Sequence, residues 1–237
     1  MSNSHRILAC VLAAAISSPS PAQEESSMAT QVELGAIITS GNTEDQNIKY
    51  KVVFDWDTGD WAYRLSSEGF RSKKEKELAA QRVYHVARAQ YTINEDSFVL
   101  GRAAYEDDRF SGFDSQSDLS LSYGRNLLNN IQTMQLAVNL GVGVRRSETA
   151  IETTSEAILR AEANYAWDLS ETADFTQDFS IESGSDSSIY RSESAIQTDI
   201  MENLSMKFSV KVKHQTEVPL LREKTDTETA VTLVWRF

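Results

Sequence analysis

One feature restricts this chain more than any other: apolar and polar residues alternate at a period of two through segments of ten to fourteen residues, and the pattern recurs to the C-terminus. In QNIKYKVVFDWD, Ile48, Tyr50, Val52, Phe54 and Trp56 fall on one side, and Asn47, Lys49, Lys51 and Asp55 on the other. A β-strand sends successive side chains to opposite faces, whereas a helical period of 3.6 would mix the two sets. TMQLAVNLGVGVR, AILRAEANYAW and MKFSVKVKH repeat the design. The closing segment AVTLVWRF does so too, with Val231, Leu233, Trp235 and Phe237 on its apolar side.

Carried along the chain, the alternation predicts about twelve strands: 30–40, 46–57, 61–71, 80–91, 97–106, 115–126, 132–146, 155–168, 173–184, 188–201, 204–216 and 225–237. The fifth and tenth alternate less cleanly. Globular strands usually run about five or six residues, but strands crossing a bilayer at a tilt need about nine to eleven. Alternate expected connections are short (TGD, INED, LSETA, ENL), and several of the others are longer (SKKEKELAA, DDRFSGFDS, SETAIETT, EVPLLREKT). Short turns at one end and longer loops at the other characterise outer-membrane barrels. The expected fold is therefore all-β, a transmembrane antiparallel β-barrel of about 12 strands. Unpaired strand edges are costly in lipid, so the last strand should pair with the first.

The aromatic residues sort with the short turns. Trp56, Trp61, Tyr91, Phe98, Trp167, Phe175, Trp235 and Phe237 map to one rim, the position of an interfacial belt. A second ring could involve Phe70, Tyr105, Phe110, Phe113 and Tyr190.

The N-terminus reads as a secretory signal. Arg6 precedes an apolar run from Ile7 to Ile16, and Ser20-Pro21-Ala22 supplies a small-residue cleavage site. The expected organisation is a signal peptide at 1–22, a polar lead at 23–28, and an outer-membrane barrel at 29–237. Cys10, the only cysteine, leaves with the signal, which excludes disulfides and thiolate metal sites from the mature chain. Losing Arg6 leaves 22 basic residues against 35 acidic ones, a balance unsuited to nucleic acid. No apolar run reaches the length of a membrane helix.

With the apolar face toward lipid, the lumen should hold Lys49, Lys51, Arg64, Glu68, Arg82, Arg88, Arg102, Asp118, Arg160, Glu162, Asp174, Asp178, Glu182, Lys207, Lys211, Lys213, Asp226 and Glu228. Two readings stand beside each other: a charge-lined pore, or a cross-linked interior that braces the wall. Lys207, Lys211 and Lys213 are expected to pair with Asp226 and Glu228 on the next strand. Glu106, Asp107, Asp108 and Asp114 could gather around a divalent cation, but their spacing is not that of an EF-hand and an outer turn explains them as well. His85 and His214 are the histidines left after processing; both fall on the outward register, and no motif joins them to a nucleophile. No catalytic, cofactor or metal site is therefore assigned, and no enzyme activity is expected.

GAIITSGNTEDQNIKYKVVFDW, YEDDRFSGFDSQSDLSLSYGRNLL and LAVNLGVGVR make the chain similar to the YdiY-like, salt-induced outer-membrane proteins, a domain family of unknown function. The likeness spans about residues 30–237. It implies an outer-membrane barrel of envelope or osmotic response, a narrow pore or a plugged structural barrel, and offers no catalytic residues. The implied partners are outer-membrane lipid and the barrel assembly machinery. The alternatives are an outer-membrane hydrolase with a rim site and a soluble periplasmic binding barrel.

Overall fold

The computed structural model describes residues 26–38, 45–74, 77–108, 113–128, 130–220 and 222–237. The signal at 1–22, the first residues of the expected lead, the SGNT turn, and Arg109 to Gly112 of the DRFSGFD segment lie outside them.

Twelve antiparallel strands close into a barrel in chain order. They are β1 (Ser26–Ile38), β2 (Asp45–Thr58), β3 (Trp61–Lys74), β4 (Glu77–Asn94), β5 (Ser97–Asp108), β6 (Ser115–Asn126), β7 (Met134–Glu148), β8 (Thr153–Ser170), β9 (Ala173–Gly184), β10 (Ser188–Met201), β11 (Leu204–Gln215) and β12 (Thr225–Arg236). The first strand starts earlier than expected: Ser26, Ser27 and Met28 pair with Thr58, Asp57 and Trp56. Closure joins β1 to β12. Val32 stands opposite Trp235 and Leu34 opposite Leu233, and Thr30 and Phe237 exchange backbone hydrogen bonds of 3.1 and 2.9 Å. The terminal aromatic is thereby held in the ladder, as the sequence requires.

Five of the connections at one end span residues 59–60, 95–96, 127–133, 171–172 and 202–203. The first is a two-residue hairpin in which Gly59 takes a φ of 54°, a conformation open to glycine. The asymmetry between ends is weaker than the sequence suggests. β3 runs to Lys74 and β4 begins at Glu77, so the expected SKKEKELAA loop is mostly strand. The 127–133 connection is the long exception on the short-turn end.

The outer wall is apolar and bare: Leu140, Val142 and Val144 are 57, 66 and 59% exposed, and Phe208 is 47% exposed. Such a continuous apolar surface requires a hydrocarbon neighbour. Around the short-turn end, Trp56 and Trp61 each stack on Tyr63 (5.3 and 5.9 Å between centroids), and Trp61 meets Tyr91 at 5.1 Å. Tyr165 and Phe175 meet edge to face at 6.3 Å. Phe98 departs from the expected belt. It points inward with Arg102 and Glu106 of β5, and its ring covers Gly124 on β6. Phe98 and Leu100 are only 3 and 4% exposed and form an apolar patch inside the wall. Of the expected second ring, Tyr105 and Tyr190 face outward, whereas Phe70 lines the lumen.

Candidate functional site

Strand alternation delivers the polar face to the barrel axis, and charged groups facing one another there need partners. Small inward residues make room for long ones. Ser120, Ser122, Ser205 and Ser209 are 1–5% exposed beneath longer neighbours. A Cβ on Gly141 or Gly143 of β7 would meet the backbone oxygen of Leu121 or Leu119 on β6.

Two charge clusters fill the waist. The first surrounds Glu182 of β9, 1% exposed. Arg160 lies 2.5 Å from its carboxylate, Arg191 3.0 Å, and Arg102 and Arg145 3.9 Å each. Each arginine has a second acid: Glu162 for Arg160 at 2.9 Å, Glu106 for Arg191 at 3.1 Å, Asp118 for Arg102, and Glu156 for Arg145 at 2.5 Å. Arg102 also donates to the Tyr84 hydroxyl, and the Arg191 guanidinium lies 5.5 Å from the centroid of that ring. Glu156 occupies the space that a Cβ on Gly184 would need and accepts the Asp186 amide at 2.8 Å.

The second cluster interleaves lysines and glutamates. Glu228 pairs with Lys49 and Arg82, each at 2.8 Å. Glu193 pairs with Lys207 at 2.9 Å and Lys211 at 3.3 Å. Glu68 accepts from Lys211 at 2.5 Å and lies 3.5 Å from Arg82. Glu33 accepts from the Thr232 hydroxyl at 2.9 Å across the β1–β12 seam and lies 3.5 Å from Lys207.

Many of these contacts span the lumen. Lys213 on β11 meets Glu106 on β5 at 2.8 Å, although the strands are six places apart in a ring of twelve. Arg191 on β10 reaches the same carboxylate from five places away, and Arg88 on β4 reaches Glu162 on β8. These pairs narrow the lumen without filling it. A cavity of about 840 Å³ remains, lined by Asn47, Asp108 and Asp226 toward the loop end and by Arg64, Asn164 and Asp178 toward the short-turn end.

The expected lumen residues point inward as a set, but the expected pairing between β11 and β12 is corrected. Lys211 and Lys213 stand opposite Glu228 and Asp226 in register, yet Lys211 pairs with Glu193 on its other neighbour, β10, and with Glu68 on β3, and Lys213 reaches across the barrel to Glu106. Inside a narrow cylinder, long side chains extending toward the axis come as close to the far wall as to a neighbour. Glu33, Tyr84, Glu106, Arg145, Glu156, Arg191 and Glu193 belong to the clusters without having been singled out as lumen residues. Parity alone identifies Arg191 and Glu193, which share a face of β10 with Gln197.

The acidic stretch 106–108 divides by the same parity. Glu106 and Asp108 point inward and Asp107 outward, and Glu106 is engaged by Lys213 and Arg191. Among the described residues no group of three histidine or acidic side chains is arranged to hold a metal ion. His85 faces outward above the apolar groove formed by Phe54, Leu65, Ala87 and Ala103. His214, also outward, shares a 2.8 Å hydrogen bond between Nδ1 and the Thr225 hydroxyl and lies against Tyr190.

The sequence model of the family described as "Protein of unknown function, DUF481" matches residues 32–237. The uncharacterized protein YdiY of Escherichia coli (strain K12) is 25% identical over 215 residues, covering 90% of this chain and 84% of its own. Among solved structures, the NanC porin aligns with a TM-score of 0.56 at 10% identity, covering 87% of this chain and 98% of its own. An outer membrane channel of Pseudomonas putida F1, of the group COG4313, aligns at 0.52 and 9% identity, covering 93 and 100%. The KdgM porin aligns at 0.50 and 11% identity, covering 87 and 99%. At these identities the likeness is one of fold, that of an outer-membrane β-barrel.

Proposed function

The chain belongs to the DUF481 family, and from that premise we propose that it is an outer-membrane channel of narrow bore whose lumen is braced by ion pairs between opposite walls. The observation that carries this reading is the 840 Å³ cavity that continues past the Lys213–Glu106–Arg191 crossing toward both ends of the barrel. A cavity of that size crossed by charged side chains suits water and small ions, which fits the envelope or osmotic role implied by the family resemblance. The exposed apolar wall, the aromatic cluster at one rim and the fold shared with porins support location in the outer membrane, reached through the N-terminal signal and the barrel assembly machinery. No chemistry is assigned to the barrel: His85 and His214 face outward, and the acids of the two clusters are engaged in ion pairs.

Planar bilayer recording tests this. Wild-type protein should give small ohmic steps, and Glu106→Gln should raise the unit conductance by releasing Lys213 and Arg191 from the crossing. Folded protein, identified by heat-modifiable electrophoretic migration, that adds no conductance to bare lipid would refute the channel. That result would favour the second reading, a braced structural barrel, for which the crossing pairs themselves argue.

A further inference from the structure

Within this channel reading, we propose that Lys51 forms an anion site at the waist and makes the passage selective for small anions. Lys51 stands on β2 between Glu33 of β1 and Glu68 of β3 in register and lines the cavity. Both neighbouring acids are taken by other groups. Glu33 is held by Thr232 and Lys207, and Glu68 by Lys211 and Arg82. Among the described residues Lys51 forms no ion pair within 4.0 Å, and its electrostatic neighbours include Lys207 and Lys211 as well as Glu68 and Glu193.

The charge count gives the same answer. In the lysine–glutamate cluster, Lys51, Lys49, Lys207, Lys211 and Arg82 set five positive charges against the four of Glu33, Glu68, Glu193 and Glu228. Lys51, Lys211 and Arg82 line the cavity, and among the described residues Lys51 is the one of these three with no ion pair. Around Glu182 and the crossing pairs joined to it, five arginines and Lys213 exceed their five acids by one again. Asp108 and Asp226, nearer the loop end of the same cavity, offset both surpluses over the lumen, so the excess positive charge is local to Lys51. A small anion beside Lys51 supplies the direct counter-charge that Glu193 and Glu68 provide only from beyond ion-pair distance, whereas a cation there meets an ammonium with no acid in contact.

The test has two arms, both on the full barrel. In bilayers under a potassium chloride gradient, the wild-type reversal potential should report preference for chloride. Lys51→Met should lower the chloride-to-potassium permeability ratio roughly a hundredfold, about tenfold from each ion, the effect of one charge about 5 Å from the ion at an effective dielectric constant of about 50. Lys51→Arg should retain the preference. Independently of conduction, the ³⁵Cl resonance of a chloride solution should broaden on adding detergent-folded protein, and the broadening should shrink with Lys51→Met. Cation preference in the wild type, or a permeability ratio unmoved by Lys51→Met, would overturn the proposal while leaving the channel standing. If no variant conducts, the channel reading fails and the chloride resonance decides alone: broadening lost with Lys51→Met supports the site, and broadening absent or unchanged refutes it.

Discussion

Glu182→Gln is the most discriminating perturbation of the braced waist. At an effective dielectric constant of about 20, a unit pair at the 2.5 Å Arg160 distance has a gross attraction of roughly 7 kcal/mol, before the several kcal/mol that desolvating each ion costs. Removing one partner of a buried pair typically destabilises by about 3–5 kcal/mol, because the other charge is left uncompensated. Here the four arginines keep Glu162, Glu106, Asp118 and Glu156 as second partners, so none is fully orphaned. The expected loss therefore lies at the lower end, about 3 kcal/mol. With a urea slope of about 2–3 kcal/mol per molar, the unfolding midpoint of the detergent-folded barrel should fall by about 1–1.5 M. Removing Glu162 as well should cost more than the sum of the two single changes, since Arg160 then loses both acids. A midpoint shift under about 0.3 M for Glu182→Gln would show that the hub contributes little and would refute the reasoning.

Two further outcomes follow from the wall. Gly141→Ala places a methyl group against the Leu121 carbonyl, and backbone cannot yield as a side chain can, so a loss of about 1–3 kcal/mol is expected in the same urea assay. Spin labels at Val52 and Phe208 should be relaxed by dissolved oxygen, whereas labels at the inward Gln90 and Asn164 should respond to a water-soluble nickel complex; the reverse pattern would overturn the facing of every strand.

The strand count and the facing of the wall were legible because period-two alternation is local: Ile48 to Trp56 or Leu136 to Val144 declare their face without reference to any other strand. The charges of the lumen were legible for the same reason. Their partners were not. Whether Lys213 meets Asp226 beside it or Glu106 across the barrel depends on strand number, tilt and stagger acting together, and no stretch of sequence contains those quantities. Phe98 is a different case. It shares its parity with Arg102 and Glu106, so alternation along β5 already turns it inward as a lid over Gly124; its nearness to a short turn, not its facing, suggested the belt.

The same geometry explains why the interior is ionic. A barrel whose outer face is apolar has its polar residues committed to the lumen by alternation, and a lumen this narrow cannot keep each charge fully hydrated. Interlocked pairs are then the arrangement left to it, and their net contribution to stability need not be large. What they fix is shape. Because Glu106 binds cations from β10 and β11, and Glu182 gathers arginines from β5, β7, β8 and β10, the far walls are held at one separation. A twelve-stranded ring without such ties could flatten or widen at little cost to its backbone hydrogen bonds. In the proposed channel, the pairs that set the bore are thus the ones a passing ion must skirt, so the parts that keep this barrel's shape would also decide what it admits.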